Sequence, residues 1–347
     1  MAANRFLIKS RLDVPPEAWD SFADKSDEAW LWHRYVFQDT LATWGKTDHS
    51  FAVFDEASPG SLIAICPLHL TKSNLVRVIP YHTLDSLGGI ALQNELGTKY
   101  RRKISEFIRN HLLTLAQQQN VAEINLTLSP MAPAYRGENC PRVNPLLELG
   151  CLNSLTQTYV LNLQNGSGKI WDGMETRART LIRKAEKSGV TVRLASSRDI
   201  DIYYDLHCQT YQRNHITPHP KAYFKAIGDY FLPEGLSVIF LAELDGKIVA
   251  AENFGFYKNG TNYWTGASSV QGLELGASSL LQWYAIQHMV AQKAEWYEVG
   301  EGFPATRTGK AKGLNDFKKS FGGELYPYYR GRLIRTSWRS KVARLRA

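Results

Sequence analysis

The sequence predicts an α/β protein of two successive domains, each with a mixed, mostly antiparallel sheet flanked by helices. Its 347 residues favour two domains over one. Segments with period-2 alternation of apolar residues recur between segments with helical 3–4 spacing. Asp245-Gly246 and Asn259-Gly260 are strong hairpin turns between strands of the second half. We expect the domains at 1–165 and 166–347.

The first half contains two helical patterns and five strand patterns. Apolar residues such as Trp30, Leu31, Tyr35 and Leu41 mark the first helix, and a glutamine-rich turn ends the second. Gly88-Gly89 breaks the chain at the third strand, and Pro-Gly punctuation follows the fourth. The expected helices are 30–44 and 100–119, and the expected strands are 49–54, 62–70, 87–92, 122–128 and 158–163.

The second half repeats this order. Gly189 ends its first helix as a C-terminal stop. The helix that begins at Gly276 has a predicted buried face of Leu280, Leu281, Tyr284, Ala285 and His288. The expected helices are 171–187, 199–214, 220–231 and the one from Gly276, and the expected strands are 190–194, 236–244, 247–257, 262–267, 295–299 and 326–334, the last closing the second sheet.

The net charge of +8 is concentrated in three basic clusters. Such clusters suit polyanionic partners, namely tRNA, a nucleotide-linked donor or anionic lipid head groups, and an ordinary solvated surface is the alternative. The end of the basic tail, residues 338–347 (WRSKVARLRA), could form a short amphipathic basic helix on a membrane face or a frayed terminus. The clusters are Arg177, Arg179, Arg183, Lys184 and Lys187; Lys310, Lys312, Lys318 and Lys319; and Arg330, Arg332, Arg335, Arg339, Lys341, Arg344 and Arg346.

Composition indicates a soluble cytoplasmic protein, with peripheral contact to the inner face of a membrane left open. With 44% hydrophobic residues the chain is not of the disordered class, and it has no apolar run of membrane-spanning length. The N-terminus shows no signal-peptide pattern. The four cysteines show no CxxC pairing. His207, Cys208, His215 and His219 have no metal-ligand spacing, so we expect no metal site.

Residues 273 to 323 carry the predicted chemistry. Gly276, Ala277, Ser278 and Ser279 gather backbone N–H groups and hydroxyls at a helix start, which suits the phosphate of a donor. Arg179 and Lys184, from the first basic cluster, are predicted to bind the same donor.

A transfer reaction also needs an oxyanion stabiliser and a proton acceptor. Lys318, beside Phe317, is predicted to stabilise the oxyanion, with a solvated helix lysine as the alternative. Glu298 or Glu252 would accept the proton. Glu252 lies in mid-strand, where a carboxylate is costly unless paired or functional, and a strand edge or a salt bridge is the alternative for it.

Three segments resemble the FemAB-type, FemX-like branch of the GNAT acyltransferase superfamily. They are Trp171-Asp172 with 177–190, Gly276 to Leu281, and Gly313 to Lys318 followed by Phe321-Gly322-Gly323. The resemblance implies tandem GNAT-like domains, the first on the acceptor side and the second on the donor and catalytic side. It also implies a role for Lys318 at the reacting ester and a positioning role for Phe317.

The resemblance implies an N-acyl or aminoacyl transferase with no permanently bound cofactor. The donor would be acyl-CoA or aminoacyl-tRNA, and the acceptor a small-molecule or lipid-linked amine of a cell-envelope precursor or surface sugar. Leu273 and Glu274 depart from the Arg/Gln-x-x-Gly-x-Gly/Ala loop of CoA-binding relatives. Two alternatives stay open: a CoA-dependent small-molecule N-acyltransferase, and a catalytically silent module that binds RNA or a membrane.

Overall fold

The computed structural model describes residues 5–58, 60–75 and 79–334. Within it the chain forms two compact units, Met1–Thr156 with Tyr328–Ala347, and Gln157–Pro327. This division differs from the boundary expected at 165, because the strand that begins at Thr156 pairs within the second unit. Residues 335–347, which hold most of the basic tail, lie outside the described residues, so the tail helix stays a prediction.

The first unit contains short strands and one long helix. Its helices are α1 (Pro16–Lys25), α2 (Tyr35–Ala42) and α3 (Thr98–Gln118). Its strands are β1 (Phe6–Ser10), β2 (Thr47–Asp48), β3 (Phe51–Asp55), β4 (Ser61–Cys66), β5 (His69–Thr71), β6 (Asn74–Leu75), β7 (Ile79–Pro80), β8 (His82–Leu87), β9 (Ala91–Leu92), β10 (Val121–Thr127) and β11 (Leu152–Asn153).

The second unit contains seven helices around one large sheet. The helices are α4 (Gly166–Gly173), α5 (Thr176–Lys187), α6 (Ile200–Arg213), α7 (Lys221–Ala226), α8 (Val270–Leu275), α9 (Ala277–Ala291) and α10 (Gly309–Lys319). The strands are β12 (Thr156–Asn162), β13 (Thr191–Leu194), β14 (Ser237–Leu244), β15 (Lys247–Tyr257), β16 (Gly260–Ser268), β17 (Trp296–Gly302) and β18 (Glu324–Tyr328), and β19 (Arg330–Ile334) follows in the first unit.

The sheets are mostly antiparallel, as the sequence predicts, and among the described strands β8 pairs in parallel with β10 and β16 with β17. The first unit differs from the prediction of one sheet per domain, because its strands divide between two larger sheets. The first unit has a sheet of order β1-β3-β4-β9 and another of order β11-β19-β10-β8-β5-β2, beside the β6-β7 pair. The second unit has the order β13-β14-β15-β16-β17-β12-β18. Helix α9 packs its buried residues against one face of this sheet, and α6 contacts the other through Tyr203, whose hydroxyl bonds Thr265.

The strand predicted at 326–334 is wrong as a single element of the second sheet. The structure divides it into β18 in the second unit and β19 in the first. Between them Tyr329 is buried, and its carbonyl accepts a hydrogen bond from the Leu128 N–H at 2.9 Å. A continuous strand pattern predicts extended backbone, and it cannot indicate which sheet that backbone joins.

Smaller differences have local causes. The helix predicted at 171–187 is interrupted at Met174 and Glu175, both of which have extended backbone. The turn before β16 uses Lys258 and Asn259, both with positive φ, in place of Asn259-Gly260. Tyr284, predicted on the buried face of α9, is exposed, and Ile286 and Met289 are buried instead.

Candidate functional site

Strands β16 and β17 run parallel and then separate. They pair only from Gly260 with Trp296 to Asn262 with Glu298, although β16 continues to Ser268 and β17 to Gly302. Beyond the paired part, a bulge interrupts the pairing of β17 with β12, because Tyr159 faces Gly300 and Val160 faces Glu298. The separation leaves strand ends open inside the second unit, where irregular backbone can carry functional groups.

Helix α10 brings the segment around Lys318 to the end of β17. Its anchor is Asn315, whose side-chain oxygen accepts hydrogen bonds from the Tyr159 hydroxyl at 3.2 Å and the Phe303 N–H at 2.8 Å. Phe317 packs against the core of the unit and contacts Phe321 edge to face, with ring centroids 5.0 Å apart. These contacts limit the rotation and translation of the helix and so orient Lys318.

The Lys318 side chain lies across Gly300. Its ammonium donates a hydrogen bond to the Glu301 carbonyl at 2.9 Å. A Cβ atom at Gly300 would lie 3.0 Å from Nζ, and Gly300 has a φ of +114°, which only glycine adopts readily. Burial lowers the pKa of Lys318, while the nearby Glu298 and Glu301 carboxylates oppose that shift. The arrangement provides a partly desolvated ammonium beside a carboxylate.

Glu298 is buried on β17, with 8% of its surface exposed. Its Oε1 atom accepts a hydrogen bond from the Thr158 hydroxyl at 2.8 Å, so β12 orients the carboxylate. The structure therefore places two of the predicted catalytic residues, Lys318 and Glu298, close together. Thr158, Gly300 and Asn315 complete the arrangement and were not predicted, although Asn315 lies in the segment that carries the resemblance.

Glu252 lies on the α9 face of the sheet with no exposed surface. It accepts hydrogen bonds from Gln282 Nε2 at 2.7 Å and from the Tyr263 hydroxyl at 3.4 Å, and Ser278 is a third partner. Gln282 in turn accepts one from the Tyr297 hydroxyl at 2.5 Å. Burial raises the pKa of Glu252 to about 8, and these hydrogen bonds only partly oppose the shift.

This environment rules out both ordinary explanations for Glu252. Strand β15 lies between β14 and β16, so the residue is not at a sheet edge. Its hydrogen-bonding partners are neutral side chains, so a salt bridge does not explain it either. With a pKa of about 8 the carboxyl group is largely protonated at neutral pH, a state that cannot accept a proton.

The start of α9 is more enclosed than a free anion site. Gly276 ends α8 in the left-handed region with a φ of +80°, and a Cβ there would lie 2.9 Å from the Leu181 carbonyl oxygen. Ala277 and Ser279 are buried, and Ser278 is half-buried beside Glu252. Donor binding by these residues stays a prediction.

The two predicted basic donor ligands bond backbone carbonyls in this structure. Arg179 Nη1 donates to the Trp171 carbonyl at 3.2 Å and to the Asp172 carbonyl at 3.0 Å, at the end of α4. Lys184 Nζ donates to the Glu274 carbonyl at 2.6 Å, at the end of α8. Both side chains therefore stabilise helix ends, Lys184 at Glu274, two residues before Gly276, and Arg179 at the end of α4, and their binding to a donor stays a prediction.

Other members of the basic clusters have acidic or aromatic neighbours. Arg177 pairs with Glu175 at 3.0 Å, and Arg183 lies over the Trp171 ring at 5.3 Å. Lys319 lies 3.8 Å from Glu175. Because these contacts occupy part of the positive charge, the clusters are less available to a polyanion than the sequence suggests.

The described residues contain no group of His, Cys, Asp and Glu side chains that could hold a metal ion. Over the same residues, no helix has both the length and the apolar character needed to cross a membrane. The polar groups described above in the second unit comprise three buried side chains, Glu252, Gln282 and Glu298, and the half-buried Lys318.

Comparison with known proteins identifies the fold of this site. A family model described as an acetyltransferase (GNAT) domain matches residues 174–319. A search of curated protein sequences found no match.

Several solved structures share the fold over most of the chain. The crystal structure of FemX superposes with a TM-score of 0.68 at 15% identity, covering 91% of this chain and 96% of that one. The structure of L-PGS from Bacillus licheniformis has a TM-score of 0.57 at 13% identity, with coverage of 95% and 96%. A tandem GNAT protein from the clavulanic acid biosynthesis pathway has 0.52 at 11%, with 95% and 98% covered.

Proposed function

We propose that this protein, which shares the fold of FemX and of a tandem GNAT protein, is an acyltransferase that transfers an acyl or aminoacyl group to an amine of a cell-envelope precursor or surface sugar. The donor is acyl-CoA or aminoacyl-tRNA. Similarity in fold to FemX and to L-PGS supports the envelope as the place of action. In this proposal the second unit binds the donor and carries the catalytic groups, and the first unit binds the acceptor.

The observation that carries the proposal is the position of Lys318. Its ammonium lies across Gly300 at the end of β17, within electrostatic range of the buried carboxylate of Glu298. When an amine attacks the carbonyl carbon of a thioester or ester, negative charge develops on the carbonyl oxygen. A positive group held in a partly desolvated site stabilises that charge more than it stabilises the substrate.

The structure favours Glu298 over Glu252 as the proton acceptor. The attacking amine becomes positively charged as its bond to carbon forms, and its proton must leave before the tetrahedral intermediate collapses. Glu298 lies beside Lys318, whereas the raised pKa of about 8 keeps Glu252 protonated at neutral pH. In our proposal the proton passes to Glu298, and the CoA thiolate or tRNA 3′-oxygen departs and is protonated.

Glu252 then has a positioning role. Its neutral carboxyl group joins Ser278 at the start of α9 to Gln282 and, through it, to Tyr297 on β17. This network connects the helix start proposed to bind the donor with the strand that carries Glu298. A fully bonded buried network of this kind holds its members in one arrangement.

Substitution of Lys318 tests the catalytic proposal. We expect Lys318→Ala to lower turnover by about 10²–10³-fold with little change in donor affinity, because an oxyanion contact acts mainly in the transition state. Lys319→Ala is the matched control, since Lys319 is the next residue of the same helix and is exposed. Equal turnover in the two variants contradicts the role given to Lys318.

The donor is identified by thermal shift. A ligand that binds only the native state raises its melting temperature, by an amount that grows with the logarithm of the ligand concentration above Kd. Stabilisation by acetyl-CoA or a longer acyl-CoA supports a CoA donor, and stabilisation by aminoacyl-tRNA alone supports aminoacyl transfer. No shift with either class, together with salt-sensitive RNA binding, contradicts the proposal and supports a silent binding module.

A further inference from the structure

A cleft of about 430 Å³ lies in the second unit, apart from the polar groups described above. Its floor includes Val160 and Phe321, and its walls include Trp296 and Tyr326. The volume falls within the range of about 300–1,000 Å³ that is usual for small-molecule sites. We call it the Trp296 groove.

The aromatic walls form an open corner. The ring centroids of Trp296 and Tyr326 are 6.1 Å apart and their planes are inclined by 57°. Both residues are half-buried. Two inclined rings cannot enclose a flat base between parallel faces, as sites that bind bases by stacking on both sides do. They can contact two sides of a thicker, non-planar ring through its C–H groups.

The rim of the groove carries hydrogen-bond donors and acceptors, among them one positively and one negatively charged side chain. Asn162, Asn165, Lys169 and Glu324 line the same groove. The Asn162 side-chain oxygen accepts a hydrogen bond from the Gln164 N–H at 3.0 Å, which orients its amide. One ammonium and one carboxylate give the rim no net charge, so a phosphate has no special affinity for it. Hydroxyl groups, which donate and accept, suit such a mixture.

We propose that the Trp296 groove binds a saccharide ring. This inference rests on the proposed function and refines it: the sugar portion of the acceptor binds in this groove of the second unit, and the first unit binds only the remainder of the acceptor. Trp296 begins β17, and Gly300, four residues later, lies beneath Lys318. At 3.3 Å per residue the separation along the strand is about 13 Å, so the bound sugar lies one or two rings away from the reacting amine.

The groove also accounts for the Phe321-Gly322-Gly323 segment. Phe321 forms part of the floor and contacts Phe317, the neighbour of Lys318. Gly323 has a φ of +91°, and a Cβ there would lie 2.8 Å from the Val160 carbonyl oxygen. Glycine is therefore needed for the close approach of this loop to β12, which shapes the groove.

Binding of N-acetylglucosamine and N,N′-diacetylchitobiose to the full chain, measured by saturation-transfer NMR and titration, tests the proposal. We expect saturable binding, weakened at least tenfold in Tyr326→Ala through loss of one wall. Tyr230→Ala is the matched control, because Tyr230 is exposed in the same unit and does not line the groove. Lys169→Ala, at an exposed position, provides a second variant if Tyr326→Ala fails to fold.

Absence of saccharide binding at millimolar concentration overturns the proposal, as does binding that both groove variants leave unchanged. Tighter binding of AMP than of either sugar, lost in Tyr326→Ala, overturns it in favour of a nucleotide site. Transfer is measured separately, with a sugar-free amine and an amino sugar. A KM increase in Tyr326→Ala for the amino sugar alone supports the subsite, and saccharide binding without transfer to any amine contradicts only the proposed function.

Discussion

Glu252 shows how burial changes the chemistry of a single residue. Sequence position alone allowed this carboxyl group to be a base, an edge residue or a member of an ion pair. Enclosure by Gln282, Tyr263 and Ser278, without exposed surface, favours the neutral acid. The sequence left both Glu298 and Glu252 as candidate proton acceptors. Burial keeps Glu252 largely protonated at neutral pH, whereas Glu298 is the carboxylate that interacts electrostatically with Lys318.

The raised pKa of Glu252 predicts a loss of stability as pH rises from 4.5 to about 8. The folded protein keeps this proton up to about pH 8, whereas the unfolded chain loses it near pH 4.5. The contribution to the free energy of unfolding is therefore complete below pH 4.5 and declines as pH rises through 8. From a shift of three and a half pKa units, the decline is at most about 5 kcal/mol.

Glu252→Gln removes this titration. We expect chemical denaturation at pH 5 and at pH 8.5 to show that the variant loses less stability between the two values than the original protein does. Glu274→Gln serves as the control, because Glu274 is exposed at the end of α8. If Glu252→Gln and the original protein have parallel pH profiles, Glu252 is not a neutral buried acid.

At the scale of elements, the α8–α9 turn shows why a glycine is required. Gly276 combines a left-handed backbone with close packing against Leu181 on α5. A donor phosphate is one reason for a glycine here, but the backbone conformation and the packing of the helices already require it. The left-handed backbone and the close packing against Leu181 occur at the same residue. A substitution of Gly276 therefore affects the relative positions of α5, α8 and α9.

Comparison of Gly276→Ala with Gly246→Ala separates the cost of backbone strain from the cost of a steric clash with a neighbouring helix. Gly246, in the β14–β15 hairpin, has a φ of +75° with no atom within 4 Å of an added Cβ. We expect Gly246→Ala to cost about 1–2 kcal/mol through backbone strain alone. Gly276→Ala should cost clearly more, because the added atom would also lie 2.9 Å from the Leu181 carbonyl oxygen. Equal losses in urea denaturation contradict the packing argument.

The separation of β16 from β17 could not be predicted from either strand alone. Each segment had a recognisable strand pattern, and their order around α9 followed the resemblance. The bulge opposite Tyr159 and Val160 depends on pairing with β12, which is distant in sequence. Long-range pairing of this kind leaves no local pattern, so Gly300 and Thr158 were missed.

At the scale of the whole molecule, the return of the chain to its first unit is the main topological finding. Strand β19 lies between β11 and β10, with Glu123 facing Ile334 and Thr127 facing Arg330. Arg332 also lies 3.7 Å from Glu123. The first unit therefore depends on residues that follow the second unit in sequence, and its sheet is incomplete until the chain has passed through both.

Truncation tests this dependence. We expect a chain ending at Pro327 to lose amide hydrogen-exchange protection in β10 and β11, because β11 loses the strand with which it pairs and β10 keeps only β8, while β14–β16 stay protected. A chain ending at Ile334 keeps β19 and is the matched control. Retained protection of β10 in the shorter chain, measured by mass spectrometry, would show that β19 is dispensable.

The sequence by itself determined the α/β class, most helices and strands, and the segment that holds Lys318, because apolar periodicity and turn residues act locally. Tertiary structure decided which sheet contains residues 330–334, which glutamate interacts with Lys318, and that Glu252 is neutral. These outcomes depend on pairing and burial between residues up to about two hundred positions apart. A carboxyl group has the same chemistry everywhere in a sequence, and only its surroundings decide whether it holds its proton.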